Sequence, residues 1–315
     1  MSTSKDSREE FLKSEINRLK KEKNALIMAH YYQRDEIQEI ADFIGDSLAL
    51  ARRAAKTDAD MIVMCGVHFM GETAKILSPE KKVVVPDLEA GCSLADSCPP
   101  EEFEAFIKER PDHTVVSYVN TSAAVKALTD IVVTSGNARQ IIEQLPEDEK
   151  IIFGPDRNLG EYINSVTGRN MVLWKGACHV HDRFSLQKIL DMKKEHPGAK
   201  ILVHPECQRP LQLVADKVGS TAALLEFAKT DDAKEYIVVT ESGILFEMRR
   251  KCPGKTLYAA PAEDAECQCN ECDFMKLNTL EKVYKALRDE KPEILVEPEV
   301  AEKALRPIER MLEMS

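Results

Sequence analysis

Three intervals of equal length constrain this chain more than any single motif. His30 to Ser47, Tyr118 to Ser135 and His204 to Thr221 each span 17 residues. The segments around them align as well: IADFIGDSLALARRAA (40–55), LTDIVVTSGNARQIIEQL (128–145) and LVADKVGSTAALLEFA (213–228). Each places a short strand before Ser or Thr, then a helix. GVHFMGE (66–72) pairs in the same way with PDRNLGE (155–161). Later cysteines follow the hydroxyl residues at 45 (Cys92), 43 (Cys178) and 51 (Cys272) positions. Every repeat thus offers a polar residue at its first strand end, a hydroxyl opening a helix, and a cysteine near its close.

Short apolar runs alternate with helical stretches along the whole chain: Ala25–Ala29, Met61–Met64, Val83–Val85, Thr114–Tyr118, Ile131–Val133, Ile151–Phe153, Met171–Trp174, Lys200–Val203, Tyr236–Val239 and Thr256–Ala259. Continuous apolar strands between amphipathic helices indicate parallel sheets covered on both faces. Repeats of roughly 85–95 residues are too long for solenoid units. The expected fold is α/β: three similar three-layer αβα domains with parallel sheets around a pseudo-threefold axis. Pro and charged residues cluster in ERPDH and KKEHPGAK. They suggest domains at 1–110 (with an N-terminal helix over 1–24), 111–198 and 199–315. Residues 276–315 read as two helices broken by KPEILVEP.

Charge narrows the partners. With 43 Lys and Arg against 54 Asp and Glu, the net charge is −11. A nucleic-acid binder needs a basic face, so none is expected. A small anionic substrate stays open, because a pocket can oppose the net sign. Residues 1–24 are charged throughout and lack the apolar core of an export signal. No window approaches 18 consecutive apolar residues. The expectation is a soluble, cytoplasmic protein with no membrane partner.

Nine cysteines in a chain of 315 residues argue for metal or reactive thiols rather than a disulfide framework. In open α/β sheets, ligands sit outside the carboxyl ends of the strands. Three sheets aimed at one axis would bring His30, Tyr118 and His204 into one cavity and a late cysteine from each repeat to one end of it. Three thiolates leave one metal position unfilled by protein. An iron–sulfur cluster held that way keeps one iron open as a Lewis acid. Cys92 in PDLEAGCSLADSC and Cys178 in WKGACHVH each follow a strand and a Gly-containing turn. In ECQCNEC (266–272), spacing does not choose among Cys267, Cys269 and Cys272, and Cys269–Cys272 could also oxidise reversibly. Cys65, Cys98, Cys207 and Cys252 have no repeat partner and read as structural.

Ser47, Ser135 and Thr221 read as helix N-caps. Simple capping would explain them. Three helix N-termini facing one cavity would also bind a multiply anionic acid. Residues i and i+2 of a strand share a face, so His30/Tyr32, Tyr118/Asn120 and His204/Glu206 can point together and suit acid–base work. His181, three residues after Cys178, is close enough to line the same pocket. His68, His113, His179 and His196 receive no role.

MAHYYQRDEIQEIADFIGDS, SYVNTSAAVKA, GACHVH, HPEC and CDFMKLNT together resemble the quinolinate synthase family, over about residues 22–290. The resemblance implies a three-domain α/β enzyme with pseudo-threefold symmetry. Its implied reaction condenses iminoaspartate (iminosuccinate) with dihydroxyacetone phosphate to quinolinate, phosphate and water, on the route to NAD. It implies a [4Fe-4S] cluster on Cys92, Cys178 and Cys272, the last chosen because it directly precedes DFMKLNT. It assigns iminoaspartate binding to His30, Ser47, Tyr118, Val119, Asn120, Ser135, His204, Pro205, Glu206 and Thr221, proton transfer to Tyr32, Tyr118 and Glu206, and pocket shaping to His181. It also implies an L-aspartate oxidase or dehydrogenase as supplier of iminoaspartate. One departure is Gly136, where the family pattern leads us to expect a second serine. Other readings are a hydroxy-acid dehydratase using the same open iron, an iron–sulfur redox sensor, and a zinc protein. A dinucleotide-binding dehydrogenase is disfavoured, because no G-x-G-x-x-G follows the first strand.

Overall fold

The computed structural model describes residues 2–263 and 270–315. Among the described residues, twelve strands form three four-stranded sheets, and every pairing within them is parallel. The first sheet holds β1 (Ala25–His30), β2 (Phe43–Gly45), β3 (Met61–Cys65) and β4 (Lys82–Val84). The second holds β5 (Thr114–Tyr118), β6 (Ile131–Val133), β7 (Ile151–Gly154) and β8 (Val172–Leu173). The third holds β9 (Lys200–Val203), β10 (Lys217–Val218), β11 (Glu235–Val239) and β12 (Thr256–Ala259). All three share one order, with the second strand on one edge, then the first, third and fourth. Helices connect the strands, so each sheet is the parallel, helix-covered type that its apolar runs require.

The repeat extends to the register. Met28 faces Phe43, Val116 faces Ile131 and Leu202 faces Lys217, an offset of 15 in each sheet. An aspartate fixes it each time. Asp42, Asp130 and Asp216 accept the backbone N–H of Ile27, Val115 and Ile201 at 2.9, 2.8 and 2.8 Å. The N–H of each aspartate returns a bond to the carbonyl of the same residue. The first strand is thereby clipped to the turn that starts the second. A one-residue slip would break both bonds.

The chain divides into two compact units, residues 1–92 with 273–301 and residues 93–272 with 302–315. In the first, Leu12, Ile16 and Leu19 of helix Ser2–Glu22 join Ile27, Ala29 and Val63 of the sheet and Val283 and Leu287 of helix Leu280–Asp289 in one core. In the second unit, Phe103, Val115 and Ile152 form a core beside the second sheet, walled by Trp174, whose Nε1 donates to Ser97 O. Ile189, Ile201, Val203, Ile237 and Val239 form another at the third. The terminal helices fall where the sequence places them, with Leu280–Asp289 and Pro298–Glu313 separated by the Pro-containing break. Among the described residues, no helix is long and apolar enough to cross a membrane.

One expectation needs correction: Ser47, Ser135 and Thr221 are not N-caps. Asp46 caps helix Ser47–Ala54 by accepting from Ala49 N, and Ser220 caps helix Thr221–Thr230 by accepting from Ala223 N. Ser47 and Thr221 are therefore the first helical residues. Ser135 lies in the turn before helix Ala138–Gln144, where Asn137 Oδ1 accepts from Thr134 N. Asp46 and Ser220 meet the capping requirement before Ser47 and Thr221, whereas helix Ala138–Gln144 has no side-chain cap. Capping therefore does not occupy these three side chains.

Candidate active site

The first strand of each sheet ends on the polar residue that the spacing marks. In the first unit, His30 is buried at the end of β1, and its Nδ1 accepts the N–H of Tyr32 at 3.2 Å. The Tyr32 ring meets it edge-on, with centroids 4.5 Å apart. His204, just past β9, repeats this geometry, with Nδ1 accepting the N–H of Glu206 at 3.3 Å. A ring nitrogen that accepts a backbone N–H carries no proton, so each neutral imidazole holds its proton on Nε2 and can donate from there. His204 Nε2 lies 3.3 Å from Ser135 Oγ. Tyr118, at the equivalent end of β5, is buried.

Glu206 is the centre of the second unit's polar set. It is buried, and its Oε2 meets His181 Nδ1 at 2.7 Å. His181 Nε2 lies 2.8 Å from Thr240 Oγ1, and the His181 and His204 rings stack at 4.5 Å. Burial alone would raise the Glu206 carboxyl. His181 by charge and hydrogen bond and the Tyr118 hydroxyl by hydrogen bond outweigh it and hold the group below the usual carboxylate range. Buried Asp156 goes the other way, raised first by burial and then by the Glu206 charge. The two carboxyls are thus pushed in opposite directions, Glu206 down and Asp156 up. Glu206 Oε1 and Asn120 Oδ1 are buried with no hydrogen-bond partner among the described residues. Such orphans are uncommon in native proteins and mark a place for a polar ligand or water.

The cysteines fall into two populations. Cys65, Cys98, Cys207 and Cys252 are buried, and burial raises all four thiols, Cys98 to about 12. A thiol held in that form is a poor metal ligand. Cys92, Cys178 and Cys272 are half-buried. Cys178 and Cys272 both pack against the core of the third sheet. Each is held by a carboxylate two residues beyond a third strand: Cys178 N donates to Asp156 Oδ2 at 3.2 Å, and Cys272 N donates to Glu241 Oε1 at 3.1 Å. The turn before Cys178 requires glycine, since a Cβ at Gly176 would sit 2.6 Å from Pro155 O. Soft, accessible thiolate donors on fixed backbone suit an iron–sulfur cluster. Cys178, His181 and Glu206 also place three ligand atoms within 4.8 Å and could hold a metal ion. The 2.7 Å contact between His181 and Glu206 is, however, hydrogen-bond distance. Cys267 and Cys269 lie outside the described residues.

The structure brings Tyr118, Ser135, Cys178, His181, His204 and Glu206 together in the second unit and His30 with Tyr32 in the first. Pro205 and Val119 are buried in the loops after β9 and β5, and Thr221 is buried at the start of its helix. Gly136 needs no special conformation, as a Cβ there would meet Ser220 Oγ at an ordinary 3.4 Å. His179 meets Ser93 Oγ at 2.6 Å. Sequence reasoning missed Thr240, Asp156 and Glu241. The spacing held a signal for the carboxylates, since Val67, Asp156 and Glu241 each stand two residues past a third strand.

A buried carboxylate–histidine–tyrosine set at the carboxyl ends of parallel strands, beside half-buried thiols, defines an α/β enzyme site with metal-ligating capacity. Comparison with known proteins makes that class specific. A family model described as Quinolinate synthetase A protein matches residues 14–313. The chain is 56% identical over 300 residues to a quinolinate synthase of Thermosynechococcus vestitus, covering 95% of this chain and 94% of the relative. It is 54% identical over 301 residues to one of Chloroherpeton thalassium (96% and 94% covered). It is 53% identical over 313 residues to one of Microcystis aeruginosa (99% and 98% covered). The chain belongs to the quinolinate synthase family.

Proposed function

We propose that this chain condenses iminoaspartate with dihydroxyacetone phosphate to give quinolinate, phosphate and water, as a cytoplasmic step of NAD biosynthesis. An L-aspartate oxidase or dehydrogenase would supply the iminoaspartate. The observation that carries the reading is the buried Glu206, kept ionised by His181 and Tyr118 in a chain of this family. We assign the [4Fe-4S] ligands to Cys92, Cys178 and Cys272, and domains 1–110, 111–198 and 199–315 to a pseudo-threefold arrangement. When bound, the cluster supplies a Lewis-acidic iron with one position open to a departing hydroxyl group.

The chain's own residues do the rest. His30 and His204, each with its proton on Nε2, donate to substrate carboxylates, helped by the Ser47, Ser135 and Thr221 hydroxyls. Tyr118, Val119 and Asn120 line the loop after β5, and the orphaned Asn120 amide binds a polar substrate atom. Glu206 accepts the proton that leaves carbon as the imine becomes the enamine, whose carbon then attacks the triose carbon as phosphate departs, with Pro205 fixing its loop. The Tyr118 hydroxyl, bonded to that carboxylate, and Tyr32 pass protons during isomerisation and ring closure. His181 shapes the pocket and holds the Glu206 carboxylate. In the test, anaerobically reconstituted protein receives both substrates and quinolinate is measured by chromatography. The reading expects quinolinate only when both are present. Iron-loaded protein that makes none, or that dehydrates a hydroxy acid instead, contradicts it.

A further inference from the structure

A buried lysine stands where two of the three repeats use glutamine. Eight residues past each strand-end polar group, a side chain reaches back and ties two carbonyls of the loop that follows the strand. In the first repeat Gln38 Nε2 donates to Tyr31 O and Gln33 O at 3.1 and 2.9 Å. In the third, Gln212 Nε2 donates to Pro205 O and Cys207 O at 2.9 and 2.7 Å. In the second, Lys126 Nζ donates to Val119 O and Thr121 O at 2.8 and 2.5 Å. The sequence offsets to both carbonyls are the same in all three. A neutral amide therefore meets the structural requirement twice. Lys126 adds a positive charge to it at a position that is fully buried, where charges are costly to place.

The loop it ties differs as well. The N–H of Tyr32 and of Glu206 is taken up by the histidine two residues earlier. Tyr118 has no ring nitrogen, and Asn120 N donates to nothing among the described residues. The Val119 carbonyl points at Lys126, and in a trans peptide the Asn120 N–H points the opposite way. The ammonium thus stands behind a peptide whose N–H faces away from it.

We propose that Lys126 is a positioning residue that selects doubly anionic substrates, acting through the polarised Val119–Asn120 peptide rather than by contact. This deepens the functional reading above and rests on it. A charge several ångströms away in a protein interior alters affinity on the order of ten-fold per unit of ligand charge. The probes are succinate, a dianion, and succinamate, its monoanionic amide, with binding measured by calorimetry on the cluster-loaded enzyme. Lys126→Gln keeps both carbonyl bonds, as Gln38 and Gln212 show. It is expected to weaken succinate on the order of 100-fold and succinamate on the order of ten-fold, with KM for iminoaspartate rising more than kcat falls. Equal losses for the two probes, or no loss, overturn the proposal. Gln212→Lys gives a second measurement should Lys126→Gln fold poorly: succinate tightens more than succinamate if charge behind such a loop is what matters, and unchanged binding counts against it. Failure of the wild-type enzyme to bind succinate or form quinolinate strikes instead at the functional reading.

Discussion

The strand edges and the strand ends of this protein obey different rules. At the edges the three repeats agree: Asp42, Asp130 and Asp216 make the same clip at the same offset, and Gln38, Lys126 and Gln212 tie the same two carbonyls. At the ends they diverge. His30 and His204 share a ring geometry, while Tyr118 replaces them in the second sheet. Two residues past the third strands stand Val67, Asp156 and Glu241, of which only the two carboxylates hold a cysteine N–H. The frame is uniform because register and loop closure are the same physical problem three times. The ends are free to differ, because neither register nor loop closure depends on them.

This contrast can be broken by mutation, with the largest effect expected at the ends. Glu206→Gln should lower kcat by at least about 100-fold, the usual cost of losing a general base, with cluster absorbance unchanged. Normal turnover would remove Glu206 from the chemistry. At the frame, Asp42→Ala, Asp130→Ala and Asp216→Ala should each cost about 1–2 kcal/mol, the loss of a charge-assisted hydrogen bond, read by urea unfolding. The three values should agree, and one much larger than the others would mean that the clips are not equivalent. Smallest is the effect at Glu290, which hydrogen bonds from Lys23 and then Lys82 hold down to about 2. Its folded value is depressed, so its stabilisation is present above about 4.5 and fades as pH falls toward 2. Glu290→Gln should flatten the acid loss of Tm in that window, by less than about 1 kcal/mol because the pair is exposed. An unchanged acid limb would show that the pair contributes nothing.

Much of the frame was legible from sequence because it is periodic. Ten apolar runs located ten strands within a residue or two. The Met171–Trp174 run is shorter in the fold, at Val172–Leu173. The strands before Ser47 and Thr221 were legible only through the repeat, since Lys217–Val218 is too short to announce itself. The capping role was misplaced by one residue, because Asp46 and Ser220 compete for it and polarity alone does not rank neighbours. The aspartate clips stood unread inside the aligned segments, since an exposed Asp looks like any turn residue until its acceptor geometry is known. The ionised state of Glu206 was not legible at all. It depends on His181 and Tyr118, distant in sequence and brought to it by the fold.

The proposed cluster would take one cysteine from each repeat. The deciding measurement is iron and acid-labile sulfide per chain after strictly anaerobic purification. With Cys92, Cys178 and Cys272 as ligands, the account predicts about four of each, lost in Cys272→Ser and retained in Cys65→Ser. Zinc without sulfide, in protein that cannot be reconstituted with iron, would contradict it.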